Sequence, residues 1–225
     1  MKTGLTLEQL AAEITRQQNA KEDYVVNTGN LRLESYGHDL ALHVLNSDGA
    51  DRIEPLEIGD IAHRQIGTHL SIPAKYYERM RSEDPGLLAH NVNTWLERTP
   101  AQRMIRVLDG KARAYLSNRY LRMDNYSIAS AVLPILAEIP DVRIESCQIT
   151  DSRMYIKAVN PRLQEDVTPG DTVQAGVVIS NSEVGLGSVN IQPLIYRLVC
   201  SNGMVVNDAA TKRNHIGRAT DAEEN

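Results

Sequence analysis

The sequence predicts an α+β protein: a helical N-terminal half, then an antiparallel strand-rich C-terminal half with an inserted helix and a long β-hairpin. Three observations carry that expectation. Apolar residues recur at helical spacing in several stretches before residue 100. Asp109-Gly110 separates two extended runs, a strong hairpin signal. The stretch Gly170–Met204 reads as two β-branched runs joined at the polar, glycine-bearing turn Asn181-Ser182-Glu183-Val184-Gly185-Leu186-Gly187.

Taken in order, Thr6–Gln18 opens as a helix with Thr6 as N-cap and Leu7, Leu10, Ala11 and Ile14 on one face. Short extended runs follow at Leu31–Leu33 and Leu40–Leu45, broken by Gly29-Asn30 and Gly37. Ile58–Leu70, Pro73–Arg81 and Pro85–Arg98 read as helices, with Pro73 and Pro85 in their first turns. Gln102–Leu108 and Lys111–Ser117 form a hairpin. Asp124 is placed to cap a helix through Ile128, Val132, Leu133 and Leu136, which Pro134 kinks or shortens. Val142–Ile149 and Met154–Val159 pair around Asp151-Ser152-Arg153, and the long hairpin Val173–Val199 completes the set. No repeat or low-complexity linker divides the chain, so residues 1–225 read as a single α+β domain, mainly helical over 1–100 and mainly β over 101–218. The acidic tail 219–225 is expected to be poorly ordered, and its lack of a stop signal is compatible with a piece of something longer.

A chain of 225 residues with 42% hydrophobic and 24% charged residues buries a sizeable core. Phe is absent, so nine Tyr and one Trp supply all the aromatic rings, and Tyr needs a partner for its hydroxyl. A net charge of −5 argues against a protein that coats nucleic acid generally. The charge is uneven, however. Residues 1–60 hold eleven acidic residues against five basic ones. From Arg98 to Arg122 the basic residues Arg98, Arg103, Arg106, Lys111, Arg113, Arg119 and Arg122 are opposed by Asp109 alone. Cys147 and Cys200 fit no metal or redox spacing and read as reduced thiols of a cytoplasmic protein. No apolar run approaches a membrane span.

Catalytic chemistry finds little support. His38, His43, His63, His69, His90 and His215 have no ligand-like spacing, so no metal is expected. Gly185-Leu186-Gly187 lacks a third glycine and a following helix, and no phosphate loop occurs, so no nucleotide cofactor is expected. Ser182 has no nucleophile elbow, and Cys200 ends an apolar strand. Ala62, Ile66 and Ile72 approximate a helix-turn-helix that would put Tyr76, Tyr77, Arg79 and Arg81 on a recognition helix, although two packed core helices explain the same pattern. The strongest constellation runs from Lys111 to Arg122. Strict alternation would put Lys111, Arg113 and Tyr115 on one face, with Arg119 and Tyr120 at its end. Guanidinium groups suit phosphates and Tyr rings suit unpaired bases, while an ordinary charged sheet face remains the alternative.

Asp109–Asn125 and Gly170–Met204 resemble an uncharacterised family of phage- and plasmid-like proteins carried on prophages and mobile elements. Its R-A-x-x-S-x-R-Y pattern is matched by Arg113, Ala114, Ser117, Arg119 and Tyr120. Its G-D…G…N-S-E-x-G block is matched by Gly170, Asp171, Gly176, Asn181, Ser182, Glu183 and Gly185, and its R-L-V-C-S-N-G closes the match at Arg197–Gly203. The order of helices and long hairpin is similar to the phage single-strand annealing proteins of the Rad52-like superfamily. That similarity implies an oligomeric, ATP-independent protein that holds single-stranded DNA in a basic groove and pairs complementary strands. Here Lys111, Arg113, Arg119 and Arg122 would contact phosphates and Tyr120 would stack, with Arg197, Lys212, Arg213 and Arg218 as further candidates. Between Thr172 and Val199 only Glu183 and Arg197 carry charge, so exposed hairpin edges are expected to drive assembly into a ring or short filament. The alternative is a protein-interaction module of a phage or plasmid that acts on a host factor through the acidic N-terminal region. An enzyme of a type not visible in the motifs is a third possibility.

Overall fold

The computed structural model describes residues 4–167, 169, 171–198, 204–205 and 211–213. In chain order the elements are α1 (Leu7–Ala20), β1 (Lys21–Asn27), a 3-10 turn (Thr28–Asn30), β2 (Leu31–Tyr36), β3 (Asp39–Val44) and β4 (Leu56–Ile58). Then come α2 (Asp60–His69), α3 (Ala74–Glu83), α4 (Pro85–Arg98), β5 (Gln102–Leu108), β6 (Lys111–Ser117) and α5 (Asn125–Glu138). The chain continues with β7 (Arg143–Ile149), β8 (Met154–Asp166), β9 (Thr172–Asn181), β10 (Val189–Arg197), β11 (Met204–Val205) and β12 (Thr211–Arg213). The class is α+β, as the sequence predicts. The elements gather into two compact units: Ala20–Tyr120, and Met1–Asn19 together with Leu121–Asn225.

In the Ala20–Tyr120 unit a six-stranded sheet has the order β1-β5-β6-β4-β3-β2. All its pairs are antiparallel except β4 with β6. The helices lie on one face, where Leu33, Leu42, Ile58, Ile105, Val107 and Ala112 of the strands pack with Ile66, Tyr77, Leu88, Val92 and Leu96 of α2, α3 and α4. Pro85 stands in the first turn of α4 as expected, and Asp84 caps it, its Oδ1 accepting from the Leu87 N–H at 2.9 Å. The free edge of β2 is covered by Asn93 of α4, whose Oδ1 accepts from the Leu33 N–H at 2.8 Å and whose Nδ2 donates to the Leu33 carbonyl at 2.9 Å. The helix pair read as a possible helix-turn-helix is core packing. Gly67 allows the Tyr77 ring to approach so closely that a Cβ there would lie 2.9 Å from the ring. Tyr77 is buried, with its hydroxyl 2.9 Å from His63 Nδ1, and Arg81 is tied to Asp60 at 2.8 Å.

The β5–β6 hairpin forms at Asp109 and Gly110, both with positive φ, as the Asp-Gly signal demands. It is not a regular ladder. Arg106 pairs with Ala114 and Val107 with Ala112, so Arg113 is an extra residue on β6. This bulge overturns the strict-alternation expectation that Lys111, Arg113 and Tyr115 share a face. Ala112 and Tyr115, three residues apart, both join the helix-side core, while Lys111 pairs with Glu57 of β4. Ile105 and Val107 also face the helices, which directs Arg106 to the opposite side of the sheet. There Arg106 is fully buried and binds Asp23, directly across on β1, through Nε–Oδ1 at 2.9 Å and Nη2–Oδ2 at 3.1 Å.

The second unit is built on a sheet of order β11-β10-β9-β8-β7, with β12 also pairing β10. Helices α1 and α5 cover one face: Leu10, Ile14, Ala129 and Leu136 pack on Cys147, Met154, Ile156, Ala158 and Ile179. Thr6 and Gln9 form a reciprocal capping box at the start of α1, with Thr6 N donating to Gln9 Oε1 at 2.9 Å and Gln9 N to Thr6 Oγ1 at 3.2 Å. Helix α5 continues through Pro134. The expected β9–β10 hairpin is present, but its outer edge is not open. Leu194 and Ile195 of β10 pair with β11, and Val189–Ile191 pair with β12. At the other end of the sheet, Leu5 exchanges backbone hydrogen bonds with Cys147 of β7. Five of the nine residues of β10 on the edge that motivated the expectation of self-association are therefore paired with the chain's own strands.

Arg106→Ala leaves the Asp23 carboxylate buried without its partner and should cost about 3–5 kcal/mol in denaturant unfolding, whereas Arg106→Met with Asp23→Leu should recover most of that loss. A single-variant cost below 1 kcal/mol would contradict the buried-pair account. Burial, with a smaller effect of Arg81, pushes the His63 imidazole down from 6.5 to about 4. The unfolded chain therefore binds this proton as pH falls through 6.5, but the folded protein does not until about pH 4. Stability fully present above pH 6.5 should fall by on the order of 3 kcal/mol across that window. His63→Asn should flatten the slope of stability against pH between 6.5 and 5; an unchanged slope would contradict it.

Candidate functional site: a basic hairpin and an aromatic cleft

The cations of the Arg98–Arg122 run divide by how firmly they are held. Arg106 is locked in a buried pair and cannot reach a ligand. Arg103 stacks over the Tyr115 ring at 5.7 Å, with its Nε buried and without a hydrogen-bond partner. Arg98 stacks over the Trp95 ring at 5.5 Å. Lys111 Nζ lies 2.5 Å from Glu57 Oε1, but this pair is exposed, and exposed pairs are weak enough to exchange for a phosphate. Arg113 is half-buried at the bulge with its Nε and Nη2 shielded from solvent, Arg119 is exposed beyond the end of β6, and Tyr120 is half-buried beside it. Their backbone turns on Ser117, whose Oγ accepts from Arg119 N at 3.2 Å and whose carbonyl accepts from Tyr120 N at 3.0 Å.

The remaining sequence candidates belong to the other unit. Arg122 is exposed there, and Arg197 forms a bidentate pair with Asp171, Nε–Oδ1 at 2.7 Å and Nη2–Oδ2 at 2.5 Å. Lys212 and Arg213 lie in β12, opposite Asn190 and Val189. Arg218, Cys200, His215 and the tail 219–225 lie outside the described residues.

The polar, glycine-bearing turn Asn181–Gly187 has its polar residues turned inward. Asn181, Ser182 and Glu183 are all buried. Glu183 Oε1 accepts from the Asn125 N–H at 2.5 Å, so this carboxylate caps the first turn of α5. Asp124, expected to be that cap, occupies the N-cap position without a side-chain cap bond. Asn181 Nδ2 donates to Met123 O at 2.8 Å and Asn125 Oδ1 at 2.9 Å, and Ser182 Oγ accepts from Leu186 N at 3.1 Å. Arg153 closes the loop from outside with a bond to the Leu186 carbonyl. The N-S-E block is a structural clasp between β9 and α5.

A second feature of the Ala20–Tyr120 unit was not singled out by motif. A cleft of about 810 Å³ is lined by His69, Leu70, Ser71, Ile72, Pro73, Tyr76, Asn91, Trp95, Thr99, Pro100 and Ala101. No carboxylate is among these residues. Trp95 is 42% exposed and Tyr76 47% exposed, high for rings of this size. His69 Nδ1 lies 2.8 Å from the Tyr115 hydroxyl, and burial, with a contribution from Arg103, holds its imidazole below the ordinary value, so the ring is neutral near pH 7. The lip carries backbone strain. Ser71, at φ 56°, takes the left-handed position of a Schellman turn closed by Ile72 N to Gly67 O at 2.9 Å, where glycine is the usual residue. In sequence, no motif sets Trp95 apart from the apolar residues of α4. The available signal was the chain's only Trp placed three residues before Arg98.

Residues 114–224 match the family described as Domain of unknown function (DUF932). The match starts within β6 and runs on through α5 and the second sheet; it includes Arg119, Tyr120, the N-S-E block and Arg197, and leaves out the aromatic cleft. No curated protein and no solved structure matches the chain. Among the described residues no group of three or more His, Cys, Asp or Glu could hold a metal ion, and no helix is long and apolar enough to cross a membrane.

Replacing Ser71 by Gly should relieve the left-handed strain and raise stability by about 1 kcal/mol, read as a higher denaturant midpoint at unchanged slope. A lower midpoint would mean that the Ser71 side chain holds the turn together.

Proposed function

We propose that this chain is a phage or mobile-element protein that binds single-stranded DNA without catalysis, metal or nucleotide hydrolysis. The observation that carries the reading is the exposed Arg119 beyond the end of β6 with Tyr120 next to it, while Arg113 at the bulge and the weakly held Lys111 at the far end of the strand add positive charge along the same hairpin. Guanidinium groups bind phosphate oxygens in a bidentate fashion, and an adjacent Tyr ring offers a sequence-tolerant stacking surface. The loss of Arg106 to a buried pair and the net charge of −5 restrict the number of phosphate contacts. Binding is therefore modest and local rather than a coating of the strand. Pairing of complementary strands follows from the resemblance to annealing proteins alone; assembly into a ring or filament rests on that resemblance and the low charge of the β9–β10 hairpin, and a cytoplasmic setting on the pattern of the cysteines.

Arg113→Ala with Arg119→Ala should weaken binding of a single-stranded oligonucleotide by roughly tenfold or more, about 1.4 kcal/mol, with the circular dichroism spectrum unchanged. Arg119→Glu alone, at an exposed position, should do the same if the double variant misfolds. Equal binding by Arg119→Glu and the parent protein at moderate salt would overturn the assignment.

A further inference from the structure

We infer that the cleft between the α2–α3 turn and the end of α4 is a binding site for one unpaired nucleobase. The inference rests on the reading of the chain as a single-strand binder and adds a site that the basic hairpin does not contain. Two half-exposed rings, Trp95 and Tyr76, line the same cleft. A ring in that position either stacks on a ligand or leaves apolar surface in water, and a flat base is the ligand that uses a ring face. Arg98 stands over the Trp95 ring without itself lining the cleft, which leaves ring surface open to a ligand.

The remaining lining residues fit the edge of a base. Asn91 and Thr99 already donate to the Leu87 and Trp95 carbonyls and so offer oxygen acceptors, Ser71 adds a hydroxyl, and His69 is held neutral, so the lining is polar without a fixed charge. Electrostatics favours an anionic ligand over a cationic partner, and the two rings favour a base over an acidic side chain. No carboxylate lines the cleft, Arg98 borders it at Trp95, and Arg103 lies close enough to His69 to depress its protonation. A polyanionic strand meets positive charge here, whereas a proline-rich peptide would use the rings and gain nothing from the arginines. The strain at Ser71 adds an independent sign of use, since a non-glycine residue at a left-handed lip position keeps a side chain where glycine would cost less.

Trp95 is the only Trp in the chain, so intrinsic Trp fluorescence reports on this cleft and nowhere else. The test titrates the full chain with a thymidine octanucleotide, with an abasic octanucleotide of the same charge, and with a proline-rich peptide. The octanucleotide should quench Trp95, and the abasic strand should bind at least roughly tenfold more weakly without quenching. Tyr76→Ala, at an exposed ring, should weaken octanucleotide binding by roughly tenfold while leaving abasic binding unchanged. Equal binding of both strands with Trp95 unaffected would overturn the base site and leave DNA binding by the hairpin standing. Quenching by the peptide alone would overturn it in favour of a protein partner. No response to either strand at low salt would overturn both the site and the single-strand reading beneath it.

Discussion

The parallel pairing of β4 with β6 is the constraint on which the Ala20–Tyr120 unit depends. A parallel pair cannot be closed by a tight turn and needs a long crossover. Here three helices and β5 lie between Ile58 and Lys111. The pairing itself is short, Glu57 with Lys111 and Ile58 with Ala112, and is extended by the Gly59 N–H donating to the Ala112 carbonyl at 2.9 Å. Beyond it, Gln65 of α2 accepts from the Tyr115 N–H at 2.8 Å, taking the place of the strand that has ended. These contacts pin α2 along β6. They bring His69 to the Tyr115 hydroxyl and fix the turn at Ser71 that forms one wall of the aromatic cleft.

Burial separates structural from available polar residues in both units. Arg106 and Glu183 look functional in sequence, one in a basic run and the other in a polar glycine-bearing turn. Both are consumed inside the fold, Arg106 by Asp23 and Glu183 by the first turn of α5. Leaving either without its partner would strand a charge in a poorly solvated site. Lys111 and Arg197 also have carboxylate partners, but at the surface, where such pairs are worth little and can be exchanged. Positive charge in the sequence therefore overstates what a strand of DNA can meet.

Much of the fold was legible because local signals were strong. The Thr6 cap, the Pro85 helix start, the Asp109-Gly110 turn and the β9–β10 hairpin depend on neighbours within a few residues, and all form. What sequence could not show depends on distant partners. The bulge at Arg113 shifts the alternation of β6 by one residue and removes the shared face of Lys111, Arg113 and Tyr115. The capping of α5 by Glu183 spans 58 residues, and β11 and β12 close an edge that looked open from the composition of β10 alone. The hairpin β5–β6, grouped in sequence with the strand-rich half, joins the sheet of the first half, while α1 packs in the other unit. The cleft has no local sequence signature because Trp95 sits among the apolar residues of α4, although Leu88, Val92 and Leu96 are the residues that carry its core face.

The proposed mode of binding, a few phosphate contacts supplemented by stacking, makes a claim about charge that one measurement tests directly. The affinity for a single-stranded oligonucleotide should be followed by fluorescence anisotropy from about 50 to 300 mM salt. Each phosphate contact on a single strand contributes a slope of about −0.7 in log affinity against log salt. Two or three contacts from the Arg113–Arg119 region predict a slope between about −1.5 and −2, with affinity still measurable at the highest salt. A slope of about −4 or steeper would contradict the account, since it would require a continuous basic groove of the kind that the buried Arg106–Asp23 pair and the net charge of −5 argue against.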